Sequence, residues 1–171
     1  MLNAKMQEAL NRQLNAELFS SYLYLSMAAY FEDKSLPGMA NWMRVQATEE
    51  NMHAMKFYDF INQRRGRVLL RAIDAPKTEW NSPLEAFEEA LSHERKITAM
   101  IHELTNAALS EKDHAAANFL QWFVNEQVEE EANVSTIVDQ LRLVGDNGVA
   151  IYMIDQRLGQ RAPAAAEAPA E

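Results

Sequence analysis

The sequence predicts an all-α protein: a four-helix bundle with one long crossover between its second and third helices, plus a short fifth helix at the C-terminal end. Three observations carry this. Glycine and proline number five each among 171 residues, and they fall in clusters. The stretches between clusters are rich in Ala, Leu, Glu, Gln and Met, all good helix formers. The connections between those stretches run short, long, short.

The first helix is expected from about Asn3 to Glu32, with Leu10, Leu14, Tyr24, Ala28 and Phe31 recurring at helical spacing on its buried face. Asp33 to Gly38 reads as a tight turn, and Pro37 suits the first turn of the next helix. That helix is expected to run to about Arg65 and to stop at Gly66, with Met39, Trp42, Met43, Phe57, Phe60 and Ile61 on its apolar stripe. Residues 66–81 read as irregular. Ser82-Pro83-Leu84-Glu85 opens the third helix as a capping box with proline at its first position. It is expected to end near Leu109. After the turn Ser110-Glu111-Lys112-Asp113, the fourth helix runs to about Val144 and ends at Gly145. Asp146-Asn147-Gly148 then introduces a fifth helix, Val149 to Leu158. Residues 1–160 form one domain, and 161–171 read as a disordered tail rich in Ala, Pro and Glu.

Loop lengths set the topology. Short turns make helices one and two antiparallel, and likewise three and four. A helix of about 28 residues is roughly 42 Å long, and sixteen extended residues reach about 50 Å. The middle segment can therefore run the length of the bundle and start the third helix at its far end. Val68, Leu69, Leu70 and Ile73 on that segment admit two readings: packing against a neighbouring subunit or against their own bundle.

Composition narrows the function classes. Hydrophobic residues make up 48% and charged residues 24%, a globular balance. No apolar run approaches the roughly 18 residues of a membrane span, and Met1-Leu2-Asn3-Ala4-Lys5 opens no secretory signal. Cysteine is absent, which excludes a disulfide framework and thiolate metal sites and fits a cytoplasmic protein. The net charge of −9 argues against nucleic acid as a partner and suits attraction of cations.

Polar residues interrupt the apolar stripes at one level. Glu17 lies between Leu14 and Tyr24. Glu50 and His53 are in line with Phe57 and Phe60. Glu94 stands between Leu91 and Ile101, and Gln127 and Glu130 stand between Phe123 and Val134. Spacings of three and four keep each set on one face. All six lie at similar distances from the short turns, so antiparallel pairing brings them to mid-bundle. An internal repeat supports this: 33 residues separate Glu17 from Glu50, and 33 separate Glu94 from Gln127. At an offset of 77, Glu17 maps to Glu94, Glu49 to Glu126, Glu50 to Gln127 and His53 to Glu130.

Burying a carboxylate costs several kcal/mol, and several together repel. No Lys or Arg lies on these stripes at that height. Two divalent cations would balance four carboxylates. Mixed carboxylate and imidazole donors suit iron or manganese better than calcium or magnesium. Glu-x-x-His on one bundle helix with single glutamates from others is a di-iron carboxylate arrangement. A second Glu-x-x-His, Glu111 and His114, falls in a turn without partners and reads as chance. His93, His102 and His114 have no carboxylate constellation around them and read as surface histidines.

Over residues 1–160 the chain resembles the bacterial non-haem ferritins, most tellingly at Glu49-Glu50-Asn51-Met52-His53 and Asn118 to Glu131. The resemblance implies a ferritin-like fold and a ferroxidase that oxidises Fe(II) with O2 or peroxide and stores ferric oxide in a 24-subunit homo-oligomeric cage. It implies two irons per subunit. Glu17, Glu50 and His53 would bind the first; Glu94, Glu130 and a bridging Glu50 would bind the second, with Gln127 close by. Glu49, Glu126 and Glu129, with Glu130, match the family's third iron site. Tyr24 matches the tyrosine beside the centre, and Trp122 lies near it. The fifth helix would pack at a four-fold axis, the other reading being docking on its own bundle.

Departures narrow the subfamily. Asn51 follows Glu50 where haem-binding relatives carry methionine, so no haem is expected. The second half reads Gln127-Val128-Glu129-Glu130 rather than a second Glu-x-x-His. Ala117 and Leu120 stand where animal ferritins place pore carboxylates.

Overall fold

The structure, a computed structural model, describes residues 2–162. It contains α1 (Ala4–Asp33), α2 (Pro37–Gln63), α3 (Pro83–Ser110), α4 (His114–Val144) and α5 (Gly148–Leu158). α1 packs chiefly on α2, and α3 on α4, with α1 against α3 and α5 against α2 and α4. This is the expected four-helix bundle with a fifth short helix. Residues 163–171 of the expected tail lie outside the described residues. Arg161, the first residue assigned to that tail, is docked on α2, where its guanidinium hydrogen-bonds Gln46 and pairs with Glu49.

The helix ends follow local chemistry. Asn3 caps α1 through Met6 N, Ser82 caps α3 through Glu85 N, Asp113 caps α4 through Ala116 N, and Asn147 caps α5 through Val149 N and Ala150 N. The box expected at Ser82 closes one residue further back. The Glu85 carboxylate accepts from the main-chain and side-chain nitrogens of Asn81, at 2.8 and 2.7 Å, and from Lys77. α2 stops two residues before the expected Arg65, because the left-handed residue is Arg65 itself (φ 56) and not Gly66. Gly66 is needed for space: a Cβ there would come within 2.9 Å of Leu2 and 3.0 Å of Ile61.

α2 has no cap of its own, since its N-cap position is Leu36. Asp155 of α5 supplies one. It is buried, and its Oδ1 accepts from Met39 N at 2.8 Å. Gly38 makes the approach feasible, because any Cβ would meet the Asp155 carbonyl oxygen at 1.7 Å.

The crossover is laid along α1 by α1's own polar side chains. The Gln7 carboxamide accepts from Arg67 N. Asn11 donates to Arg67 O and accepts from Leu69 N. Ser26 donates to Lys77 O. Each bond satisfies an otherwise unpaired backbone group of an irregular segment. Val68 packs against the core, whereas Leu69, Leu70 and Ile73 are exposed.

Two apolar clusters fill the bundle. One holds Tyr24, Phe31, Trp42, Phe87, Val138 and Ile154; the other holds Leu10, Leu14, Phe57, Ile61, Ile101 and Phe123. Along every long helix the switch from one cluster to the other falls at the polar residues read from the sequence.

Candidate metal centre

Each long helix delivers its polar residue to this boundary because hydrophobic neighbours one turn above and below are locked in the core. Glu17 follows Leu14, and Glu50 and His53 precede Phe57. Glu94 sits between Leu91 and Ile97, and Gln127 and Glu130 sit between Phe123 and Val134; all six are buried. Ligand atoms of Glu17, Glu50 and His53 lie within 4.8 Å of one another. Those of His53, Glu126 and Glu130 meet the same limit, so His53 is common to two groups.

Hydrogen bonds orient the carboxylates. Tyr24 Oη donates to Glu94 Oε1. Gln127 Nε2 lies 3.2 Å from both Glu94 Oε2 and Glu94 O, so Gln127 holds Glu94 as a donor. Gln13 donates to Glu17 Oε1 at 2.8 Å. Gln46 donates to Glu130 Oε2 at 2.7 Å and to Glu50 Oε1 at 3.2 Å. Glu17 Oε2 is buried and meets no donor among the described residues.

The electrostatics express the same crowding. Burial, then the charge of Glu50, raises Glu17 from 4.5 to about 8. Burial, then Glu94, raises Glu130 to about 7. Burial, with Glu94 and Glu130 beside it, pushes Glu50 well above its ordinary value, and burial raises Glu94 too. Tyr24 is driven up by burial and by the Glu94 charge. A set of buried carboxyls raised toward neutrality, one oxygen of which meets no hydrogen-bond donor among the described residues, fits divalent metal.

The outer acidic residues part company. Glu126 is half-buried, and burial raises its carboxyl. Glu129 is exposed. Glu49 is ion-paired with Arg161. Trp122 stands edge-on to His53 at 5.4 Å between ring centroids, with Lys56 Nζ 4.1 Å from the centre of its indole.

The sequence reading missed three contributors. Gln13 and Gln46 each lie four residues before an inward glutamate, and that spacing was the available signal. His93, expected on the surface, is partly buried. It lies 2.8 Å from Ser20 Oγ, edge-on to Tyr24, and desolvation lowers it from 6.5 to about 4. The neighbouring Phe19 ring supplies part of that cover.

Comparison with known proteins gives the family and the fold. A family model described as a ferritin-like domain matches residues 7–144. The chain is 43% identical over 161 residues to a bacterial non-heme ferritin of Staphylococcus saprophyticus, covering 94% of this chain and 96% of that protein. It is 45% identical to a bacterial non-heme ferritin of Bacteroides fragilis, covering 94% and 100%. Among solved structures, an open-pore ferritin from the hyperthermophilic archaeon Archaeoglobus fulgidus superposes with a TM-score of 0.94. Its identity is 54%, over 95% of this chain and 100% of that one.

Proposed function

The chain belongs to the ferritin family, and from that premise we propose that it is a ferroxidase subunit of an iron-storing cage. Two Fe(II) ions bind within each subunit. The first is held by Glu17, Glu50 and His53, and the second by Glu94, Glu130 and a shared Glu50. Each ion gives one electron to O2 or peroxide. Ferric ion is the harder cation, so the anionic oxygen donors favour the oxidised product. The product then moves inward and deposits as ferric oxide.

The observation that carries this is the buried cluster of Glu17, Glu50 and His53, with ligand atoms within 4.8 Å, in which one glutamate oxygen has no donor. Tyr24 and Gln127 orient Glu94, and Gln46 ties Glu130 to Glu50. An outer third site formed by Glu49, Glu126, Glu129 and Glu130 belongs to the same reading. It would receive an ion beside the pair. No haem is assigned.

Assembly is read from exposed apolar surface. Leu143, Val149, Tyr152 and Met153 are exposed at the α5 end, and Leu69, Leu70 and Ile73 on the crossover. A cage of 24 copies would cover both patches, the α5 patch at a four-fold axis. Among the described residues no helix is long and apolar enough to cross a membrane, and the reading places the cage in the cytoplasm.

Anaerobic titration with Fe(II) tests the centre. The wild type should take up two ions per subunit tightly, and Glu94→Ala should retain only one. Two tight ions in Glu94→Ala would contradict the assignment.

A further inference from the structure

We propose that Arg161 is a resident counter-cation for the outer carboxylates, so that an ion at the third site binds in competition with its guanidinium. This rests on the third-site reading above.

Three residues past α5, the chain is pinned to α2. Asn41 Nδ2 donates to Arg161 O at 3.0 Å. The side chain then lies along one face of α2, over residues spaced four and three apart. The guanidinium sits over the Trp42 ring at 4.5 Å from its centre. Nη1 donates to Gln46 Oε1 at 2.8 Å. Nη2 donates to a Glu49 carboxylate oxygen. The two charged side chains are only 21% and 13% exposed, so water screens the pair weakly.

Two consequences follow from the chemistry of guanidinium, which donates and never accepts. First, it fixes the sense of the Gln46 amide. With Oε1 claimed by Arg161, the NH2 group must face inward, where it meets Glu130 and Glu50. Arg161 is thus a positioning residue for two carboxylates it does not touch. Second, it neutralises Glu49, whose charge would otherwise add to those of Glu126 and Glu130. A metal ion drawn to these carboxylates meets a positive charge already seated on Glu49. It must displace the arginine or bind without that ligand. The segment that follows α5 is in this way coupled to the carboxylates at the opposite end of Gln46.

The test is a titration with redox-inert Zn(II) of the assembled wild type, Arg161→Ala and Arg161→Lys, following the third ion bound per subunit, with metal-free Tm measured in parallel. Removing one nearby positive charge should tighten the third-ion Kd about tenfold in Arg161→Ala. Arg161→Lys keeps the charge and should stay near wild type. Adding Glu49→Gln to Arg161→Ala should abolish the gain. Suppose instead that Glu129→Ala removes the third ion but Arg161→Ala leaves its Kd unchanged, whatever happens to Tm. The third site then stands and the arginine's role is overturned. If wild type and Arg161→Ala both bind two ions and no third, the third-site reading fails and this proposal falls with it.

Discussion

Tyr24 on α1 donates its hydroxyl proton to Glu94 on α3, and both side chains are fully buried. The bond ties two helices together at the level of the carboxylates and leaves Glu94 Oε2 to Gln127. Tyr24→Phe keeps the ring packed on Trp42 and removes only the donor. Initial Fe(II) oxidation, followed by stopped-flow absorbance, should slow roughly tenfold, the usual size of a lost partner to a metal ligand. An unchanged rate would show that Gln127 alone holds Glu94.

Loss of Glu130 should be more severe. In the proposed assignment this residue serves both the inner pair and the outer site, and Gln46 joins it to Glu50. Glu130→Ala should reduce the fast phase of oxidation by about 100-fold or more and leave slow oxidation at the protein surface. A fast phase of ordinary amplitude would remove Glu130 from the centre.

The inner carboxyls also set a pH dependence of stability. Glu17 titrates at about 8 in the folded protein against an ordinary 4.5, and Glu50, Glu94 and Glu130 are raised as well. The folded state therefore holds protons that the unfolded chain has released. Their stabilising contribution is complete below the unfolded value and is lost as pH rises through the folded one. Tm of the metal-free protein should fall between about pH 5 and 8. Saturating Zn(II), which replaces the protons, should flatten that slope. A metal-free Tm that climbs across the window would contradict the clustering.

Asp155 gives a prediction about α5. It caps α2 through Met39 N from a fully buried position. Asp155→Ala should cost about 1–2 kcal/mol, typical of a lost N-cap. Asp155→Asn, which keeps an acceptor, should cost less. Thermal unfolding of the two variants provides the check; equal losses would mean that packing rather than capping holds α5.

Much of this molecule was legible in the sequence. The four polar interruptions at matched heights predicted the carboxylate layer, because a helix stripe read at spacings of three and four leaves no other place for them. The turns and caps were legible to within a residue or two. Arg65, one residue before the expected stop at Gly66, takes the left-handed position, and Gly66 instead provides the space beside Leu2 and Ile61. Long-range partners were not legible. Nothing near Leu36 announces that its helix is capped by a residue more than a hundred positions later, and nothing near Arg161 announces Glu49. His93 was misread because its cover comes from Phe19, Ser20 and Tyr24 of another helix. Gln13 and Gln46 were visible as residues, but only the folded geometry shows which carboxylates they serve.

The measurement that bears most directly on the central claim is iron loading in air. Excess Fe(II) is added to the purified metal-free protein, which is then passed through gel filtration with iron measured in every fraction. Abundant iron travelling with a very large particle is the predicted result. Two irons or fewer per subunit on a small species would contradict storage and leave a di-metal oxygenase as the better account of the site.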